Sequence, residues 1–261
     1  MPKITINSIE IFYKMTGQGE PLLLIHGLGS SSRDWDYQIS VFAEQYQVIA
    51  CDIRGHGQSS KPPGPYSVPL FAEDVVQLMQ VLEIAPAHVL GISMGGMIGY
   101  QLAVDHPEMV KTLMVANCNP ELPVHNFKDR LTIWQRELIV KLIGMRKMGQ
   151  VLSERLFIKP EQEELRGIFV QRWAENAPKA YLASMRAIVG WSVVAKLAYL
   201  NMPVLVIAAD QDYSFVDDKA AYIPMMPNAH MVIIEDSRHA TPVEHPEAFN
   251  QAVLSFLAQA G

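Results

Sequence analysis

The 261-residue sequence predicts an α/β protein: a mostly parallel, eight-stranded sheet with helices on both faces and an inserted helical cap. Three observations lead to this prediction. Short apolar runs recur along the chain, amphipathic helical patterns separate them, and one long helical stretch interrupts the alternation. Runs that are apolar on both faces are typical of parallel strands covered by helices on each side.

The strands and helices can be assigned in chain order. Residues 3–14 alternate in polarity around Asn7 and Ser8, which predicts a β-hairpin at the edge of the sheet. Helical patterns occupy residues 34–45, 70–84, 95–105 and 246–258. The remaining strands are predicted at residues 21–26, 47–52, 87–92, 112–117, 203–208 and 230–235.

The long interruption covers residues 120–199, which show helical patterns such as 131–145 and 180–189 but no convincing strand. A helical stretch of 80 residues between consecutive strands is too long for a simple crossover. We therefore predict a core formed by residues 1–119 and 200–261. Residues 120–199 would form a cap over the carboxyl ends of the strands, where open α/β sheets bind ligands.

Composition narrows the classes of partner. A net charge of −6 argues against nucleic acid or an anionic membrane surface as the main partner. No apolar run approaches the ~18 residues of a membrane span, and no signal-peptide pattern is visible, so we expect a cytoplasmic protein. Cys51 and Cys118 are expected to be reduced, buried thiols. Because the histidines and cysteines lack metal-ligand spacing, we expect no metal and no cofactor.

A candidate nucleophile lies in Gly91-Ile92-Ser93-Met94-Gly95, between the predicted strand 87–92 and the predicted helix 95–105. Gly-x-Ser-x-Gly in a strand–turn–helix context is the pattern of a nucleophile elbow. The turn is so tight that the residues near the serine must have almost no side chain. Its hydroxyl then stands at the end of the sheet, above the N-terminus of a helix.

A serine hydroxyl is a poor nucleophile at neutral pH, so Ser93 needs a histidine base and an acid that orients it. In the chain order Ser…Asp…His the base lies near the C-terminus. His230 opens a predicted strand and His245 precedes a predicted helix, so both have ordinary structural uses. His239 lies on a loop just after the last strand, and we assign it as the base.

The acid is sought after the strand 203–208, which runs into Ala209-Asp210-Gln211-Asp212. Asp210 and Asp212 both lie within reach of the carboxyl end of the sheet. We favour Asp212, and Asp210 remains the alternative. Asp217 and Asp218 are better explained as the N-terminus of the next helix.

The oxyanion of a tetrahedral intermediate needs two N–H donors near Ser93. We assign the backbone N–H groups of Met94, next to the serine, and of Leu28, in the small-residue loop that follows His26-Gly27. His26 itself is interpreted as a structural hydrogen-bonding residue.

Two charged residues in a glycine-rich turn, Asp52 and Arg54, are predicted to form an ion pair that fixes their loop.

These motifs together resemble the α/β-hydrolase superfamily, over nearly the whole chain. The resemblance rests on His26-Gly27, Asp52-x-Arg54-Gly55-x-Gly57, Gly91-x-Ser93-x-Gly95 and the His239 loop. In that family the acid follows a Gly-x-x-Asp pattern, which the chain matches at Ala209 to Asp212 with alanine in place of glycine. The serine nucleophile separates the chain from haloalkane dehalogenases and epoxide hydrolases, which use aspartate.

The resemblance implies a cofactor-free serine hydrolase that cleaves small carboxylic esters through an acyl-enzyme. Residues 54–66 also resemble a loop of 3-oxoadipate enol-lactonases, so a lactone hydrolase is the first alternative. A C–C bond hydrolase and a non-catalytic binding protein on the same fold are the others. The expected partner is a small ester or lactone, and the expected state is a monomer or homodimer. Cap arginines are expected on solvated faces, with substrate carboxylate binding as the alternative: Arg130, Arg136, Arg166, Arg172 and Arg186.

Overall fold

The computed structural model describes residues 2–260. Their eight strands form one sheet in the order β1-β2-β4-β3-β5-β6-β7-β8. The strands are β1 Lys3–Ile6, β2 Ile9–Thr16, β3 Glu20–Ile25, β4 Tyr46–Cys51, β5 Ala87–Ile92, β6 Val110–Ala116, β7 Val204–Ala209 and β8 Ala229–Ile234.

Only the first two strand pairings of the sheet are antiparallel. β1 and β2 form the predicted hairpin, and β2 then pairs antiparallel with β4. Asn7 and Ser8 have φ angles of 46° and 61°, as a two-residue turn with positive φ at both positions requires. All other neighbouring strands run parallel. The mostly parallel sheet predicted from the sequence is confirmed.

Helices cover both faces of this sheet. Leu22 and Leu23 are adjacent on β3, and both are completely buried, but they belong to different apolar clusters. Leu22 shares its cluster with Phe249 of the C-terminal helix, and Leu23 shares the other with Ile98 of the helix that follows Ser93. The described helices are α1 Ile39–Phe42, α2 Val68–Val81, α3 Met94–Asp105, α4 Phe127–Leu142, α5 Met145–Leu156, α6 Glu163–Ala174, α7 Pro178–Ile188, α8 Val216–Tyr222, α9 Thr241–Glu244 and α10 Pro246–Ala260.

Two predicted helices are broken in the structure. Residues 34–45 contain the end of a 3₁₀ turn, Ser32–Trp35, and the short helix α1 instead of one continuous helix. Between them, the buried amide of Gln38 donates hydrogen bonds to the Pro242 carbonyl and to Asn250, which anchors the chain where a helix was expected. The predicted helix 131–145 ends at Leu142.

The break after Leu142 has a local cause. Gly144 adopts φ 96°, in the left-handed region that ends a helix, and α5 starts at the next residue.

Residues 120–199, here called the cap, contain α4 to α7. The two ends of the cap lie side by side: the Leu122 N–H donates to the Trp191 carbonyl at 2.8 Å, and the Val193 N–H donates to the Pro120 carbonyl at 2.9 Å. The chain therefore leaves the core after β6 and returns to it beside its point of departure. Within residues 2–260, no helix combines the length and the apolarity that crossing a membrane would require.

Candidate active site

Ser93 occupies a strained turn between β5 and α3. Its φ and ψ are 54° and −118°, a conformation that L-residues seldom adopt. A Cβ on Gly91 would lie 2.2 Å from the Gly95 carbonyl oxygen, and one on Gly95 would lie 2.1 Å from the Ile25 carbonyl oxygen. Only glycine fits at either position, which explains the Gly-x-Ser-x-Gly pattern physically.

The turn leaves Ser93 accessible in otherwise buried surroundings. Ile92 and Met94 are buried, whereas Ser93 is partly exposed. The Ser93 N–H donates to the Ala116 carbonyl on β6 at 3.0 Å, which fixes the turn to the neighbouring strand. Ser93 is also the residue immediately before α3, so its hydroxyl stands at the positive end of that helix.

His239 and Asp212 form a direct hydrogen bond. The Nδ1–H of His239 donates to Asp212 Oδ1 at 2.9 Å, with the carboxylate fully buried and the imidazole 13 % exposed. His239 lies between β8 and α9, and Asp212 follows β7 by three residues. Since Nδ1 carries the proton that is donated to Asp212, Nε2 is the nitrogen left to accept a proton.

Asp210, the alternative acid, is used differently. Its carboxylate accepts a hydrogen bond from the Ser237 N–H at 3.0 Å, and the residue is exposed. It therefore ties the loop after β7 to the loop after β8. The structure brings Asp212, and not Asp210, to His239.

Two further polar groups hold Asp212. Ser214 donates a hydrogen bond to Oδ2, and Lys219 Nζ lies 3.5 Å from the same oxygen with its side chain fully buried. Burial raises the pKa of Asp212, but the hydrogen bonds from His239 and Ser214 and the charge of Lys219 outweigh it and keep that pKa below its ordinary value. The carboxylate therefore stays ionised. Sequence reasoning missed Lys219, since no motif marks a lysine seven residues after the acid.

Asn117, which follows β6, joins the two loops of the site. Its side-chain oxygen accepts the Ala209 N–H at 2.9 Å, and its amide donates to the His239 carbonyl at 3.0 Å and to Thr241 Oγ1 at 2.8 Å. It thus links the end of β7, which leads to Asp212, with the backbone of His239. Sequence reasoning missed this residue too, because it reads as an ordinary strand terminus.

The loop after β3 lies beside the serine. A Cβ on Gly27 would lie 3.5 Å from Ser93 Cβ, so the Gly27–Leu28 peptide borders the nucleophile. Across residues 2–260, neither the Leu28 N–H nor the Met94 N–H donates a hydrogen bond to another protein group. Both donors are therefore free for an oxyanion. Because of the role predicted for Leu28, residues 27–31 are called the oxyanion loop below.

His26 fixes the start of this loop, as the sequence suggested. Its Nδ1–H donates to the Gly27 carbonyl at 2.7 Å, and its Nε2 accepts the Ile53 N–H at 3.0 Å. Both ring nitrogens are occupied by backbone groups, and the residue is fully buried. His26 is a structural residue.

The predicted ion pair between Asp52 and Arg54 is wrong. The Asp52 carboxylate accepts the N–H groups of Ser32 and Gln58, each at 2.7 Å. Arg54 instead binds Asp74 of α2 through two hydrogen bonds, with Nη2 at 2.6 Å from Oδ1. Backbone N–H groups satisfy Asp52 locally, and this leaves Arg54 free for the buried carboxylate on the helix.

Comparison with known proteins identifies the family of this chain. The family model described as alpha/beta hydrolase fold matches residues 20–246, most of the chain. The chain belongs to the α/β-hydrolase family. It is 31% identical over 257 residues to 3-oxoadipate enol-lactonase 2 of Acinetobacter baylyi, covering 96% of this chain and 94% of that protein. It is 30% identical to a putative carbamate hydrolase RutD of Caulobacter segnis, covering 91% of each chain.

A solved structure supports the fold of this α/β-hydrolase. The enol-lactonase from Burkholderia xenovorans LB400 superposes with a TM-score of 0.91, covering 98% of this chain and all of that one, at 24% sequence identity. At that identity the similarity concerns the fold. The relatives above are named for different substrates, so the family supports hydrolysis without naming the substrate.

Three aromatic residues of this α/β-hydrolase that belong to none of the sequence motifs lie beside the site. Tyr213 stacks on His239, with ring centroids 4.3 Å apart. From the cap, Trp173 and Tyr181 approach Gly29 so closely that a Cβ there would lie 2.8 Å and 3.1 Å from their rings. Sequence reasoning found no role for Tyr213 or Tyr181. Within residues 2–260, no group of three or more His, Cys, Asp or Glu side chains is arranged to hold a metal ion.

Proposed function

We propose that this α/β-hydrolase cleaves small carboxylic esters, including cyclic ones, with Ser93 as nucleophile, His239 as base and Asp212 as the orienting acid. The observation that carries the proposal is the 2.9 Å hydrogen bond between His239 and Asp212 at the same sheet edge as the strained Ser93 turn. A serine, a histidine whose Nε2 is free, and a buried carboxylate are the groups that acyl transfer needs.

The mechanism follows from these positions. His239 Nε2 takes the proton of the Ser93 hydroxyl while the oxygen attacks the carbonyl carbon of the ester. The negative charge that develops on the carbonyl oxygen is stabilised by the N–H groups of Leu28 and Met94, which have no other acceptor among the described residues. Asp212 holds the imidazole in the tautomer that has Nδ1 protonated and stabilises the imidazolium.

Collapse of the tetrahedral intermediate completes the first half of the cycle. The C–O bond to the alcohol breaks, the leaving oxygen takes the proton from His239 Nε2, and the acyl group remains on Ser93. Water then attacks the acyl-enzyme with His239 again as base, which releases the acid and regenerates the serine. In a lactone the leaving alcohol stays attached to the acid.

A lactone is the second candidate substrate, and one observation favours it specifically. The curated relative at 31% identity, matched over almost the whole of both chains, is a 3-oxoadipate enol-lactonase. The same triad and oxyanion donors serve a cyclic ester, so the two candidates differ only in the shape and charge of the acyl pocket.

Covalent labelling tests the nucleophile directly. A fluorophosphonate should label one serine, and peptide mapping should find the adduct on Ser93, with hydrolysis of 4-nitrophenyl acetate lost in proportion to labelling. The Ser93→Ala variant should resist labelling, and Ser192→Ala, a substitution of an exposed cap serine, should label like the parent protein. An adduct on any other serine would refute the assignment.

A further inference from the structure

Three arginines of the cap are half-buried, and two of them are bound by backbone carbonyl or carboxylate oxygens. Arg166 donates to the carbonyl oxygens of Phe157 and Lys159 at 2.6 Å and 2.9 Å. Arg172 binds the carboxylate of Asp36 at 2.8 Å. These two arginines attach parts of the structure to one another, and their charge is already satisfied.

Arg136 on α4 is the third, and it has no such partner. Its Nε–H donates to the phenol oxygen of Tyr181, and its guanidinium lies 5.5 Å from the centroid of that ring. Across residues 2–260, no carboxylate oxygen lies within 4.0 Å of its nitrogens, although Glu137 on the same helix binds Arg186 and Lys141. A guanidinium carries five N–H donors, so four of them remain without a protein acceptor in this part of the chain.

Tyr181 connects this free guanidinium to the oxyanion loop. The tyrosine is fully buried, and its ring approaches Gly29, the residue after Leu28. Tyr181 therefore contacts both Arg136 and the loop proposed to bind the oxyanion.

Tyr213, which stacks on His239, is a second aromatic residue beside the proposed site. The residue is exposed as a whole, yet desolvation of its phenol raises its pKa, and the charge of Asp212 adds to that rise. The charge of Arg136 acts in the opposite direction and lowers the pKa. Tyr181 holds Arg136 and packs against Gly29, so the guanidinium is attached to a side chain that borders the same site as Tyr213.

A half-buried cation with unused donors, held by a residue that borders the proposed site, is able to bind an anion. Removing part of the hydration shell of an arginine is unfavourable unless an opposite charge replaces it. The planar N–H fork matches a carboxylate, and such charge-assisted pairs are among the strongest hydrogen bonds in proteins. The bond to Tyr181 holds the fork in place before a ligand arrives, which lowers the entropic cost of binding.

We propose that Arg136 binds a carboxylate of the substrate, so that the preferred substrates are esters or lactones whose acyl part carries a second, ionised acid group. This inference rests on the proposed function and narrows it to a substrate class. Arg136 then determines substrate specificity by binding a charged acyl chain. Ser93, His239 and Asp212 carry out the same chemistry on every bound ester.

Matched pairs of esters test the proposal. The methyl half-esters of succinic, glutaric and adipic acid are compared with methyl butyrate, pentanoate and hexanoate, which have the same acyl length without the charge. Hydrolysis is followed by acid release at constant pH. For at least one length, we expect kcat/KM of the half-ester to exceed that of its neutral partner by about 10- to 100-fold, the range of a hydrogen-bonded charged pair.

Substitutions of Arg136 test whether this residue causes the preference for half-esters. In Arg136→Gln the ratio of half-ester to neutral ester should fall to about one, mainly through a higher KM for the half-ester, and Arg136→Lys should keep part of it. Arg130→Gln, which changes an exposed arginine of the same helix, should retain the full ratio. Fluorophosphonate labelling of Ser93 in each variant reports whether the active site is folded.

The outcomes separate this proposal from the one it rests on. If neutral esters are cleaved and Ser93 is labelled, but no half-ester is preferred or Arg136→Gln keeps the preference, Arg136 does not bind substrate and the serine hydrolase assignment stands. If neither class of ester is cleaved and Ser93 is not labelled, both proposals fail. If Arg130→Gln loses the ratio as fully as Arg136→Gln, the effect is the general charge of the cap, and the specific site is refuted.

Discussion

The elbow and the cap are built on different principles. Around Ser93 the chain is buried on every side: all six residues of β5 and nearly all of α3 are buried. In the cap, α4 is the longest helix of the described chain, yet Val140 is its only buried residue, and Trp134 is 58 % exposed. The cap has an apolar cluster of its own, which includes Met145, Trp173 and Tyr181, but α4 contributes only Val140 to it as a buried residue.

This difference in packing indicates that the two regions have different roles, catalysis in one and substrate recognition in the other. A strained turn persists only where surrounding packing determines it completely, and the core supplies that packing. A helix that buries little can change its surface residues at small cost in stability. The core is therefore suited to fixed chemistry, and the exposed helix α4 of the cap to variable recognition.

The largest effect is expected in the core, at the orienting acid. Asp212→Asn should reduce kcat by about 10⁴-fold, by analogy with the corresponding change in a serine protease, because the imidazole would take the wrong tautomer. Asp210→Asn is the matched control, since its carboxylate binds only the Ser237 N–H and an amide oxygen can accept the same bond. Steady-state kinetics on a short ester measures both. The opposite ranking of the two variants would place the acid at Asp210.

The sequence predicted the core far better than the cap, for a physical reason. The tight turn at Ser93 restricts Gly91 and Gly95 to glycine, so a packing requirement is visible as a sequence pattern. Strands buried on both faces are likewise visible as apolar runs, and the predicted strand 87–92 has the bounds of β5.

The contacts that the sequence did not reveal are long-range pairs of ordinary residues. Asn117 and His239 are 122 positions apart, and Asn176 and Gly29 are 147 apart. No local pattern encodes such a pair, because each partner could equally be a solvated polar residue or a turn glycine. The erroneous pairing of Asp52 with Arg54 has a similar origin. Proximity in sequence suggested it, but the acid that binds Arg54 is Asp74, 20 residues further along the chain on α2.

A smaller effect is expected where the cap contacts the core. The Asn176 amide, between α6 and α7, donates to the Gly29 carbonyl at 2.7 Å and so holds the oxyanion loop. We expect Asn176→Ala to lower kcat by about 10-fold for every ester, with little change in KM. Losing a whole oxyanion donor costs 10²–10³, and a displaced donor should cost less.

The matched control for Asn176 lies far from the site. Asn228 also donates its side-chain amide to a backbone carbonyl at 2.7 Å, that of Asn201, and is exposed. Asn228→Ala should leave kcat unchanged. If Asn176→Ala changes KM for some esters and leaves kcat intact, the cap affects only substrate recognition. The hydrogen bond from Asn176 to Gly29 would then have no influence on the chemical step.

The smallest change in rate, but a distinct change in pH dependence, is expected at the buried lysine beneath the acid. Lys219 Nζ lies 3.5 Å from Asp212 Oδ2 and donates to Ser214 Oγ at 2.8 Å. Burial lowers the pKa of Lys219, while the negative charge of Asp212 and a hydrogen bond to it raise that pKa. A protonated Lys219 offsets part of the negative charge that Asp212 exerts on His239.

The sign of the effect follows from that offset. Replacing Lys219 by methionine leaves the Asp212 charge uncompensated, so the carboxylate favours the protonated imidazole more strongly, and a higher pH is needed to free His239 as a base. The acid limb of the kcat/KM profile should move up by about one pH unit, as expected for charges several ångströms apart at an effective dielectric constant near 20. The rate on the alkaline plateau should change less than threefold, since Nε2 is neutral there in both proteins. Lys196→Met, which removes an exposed lysine paired with Asp105, should leave the limb in place. If the acid limb of the kcat/KM profile does not move in Lys219→Met, the buried amine is uncharged. If the limb moves to lower pH, the charge of Lys219 does not act through Asp212.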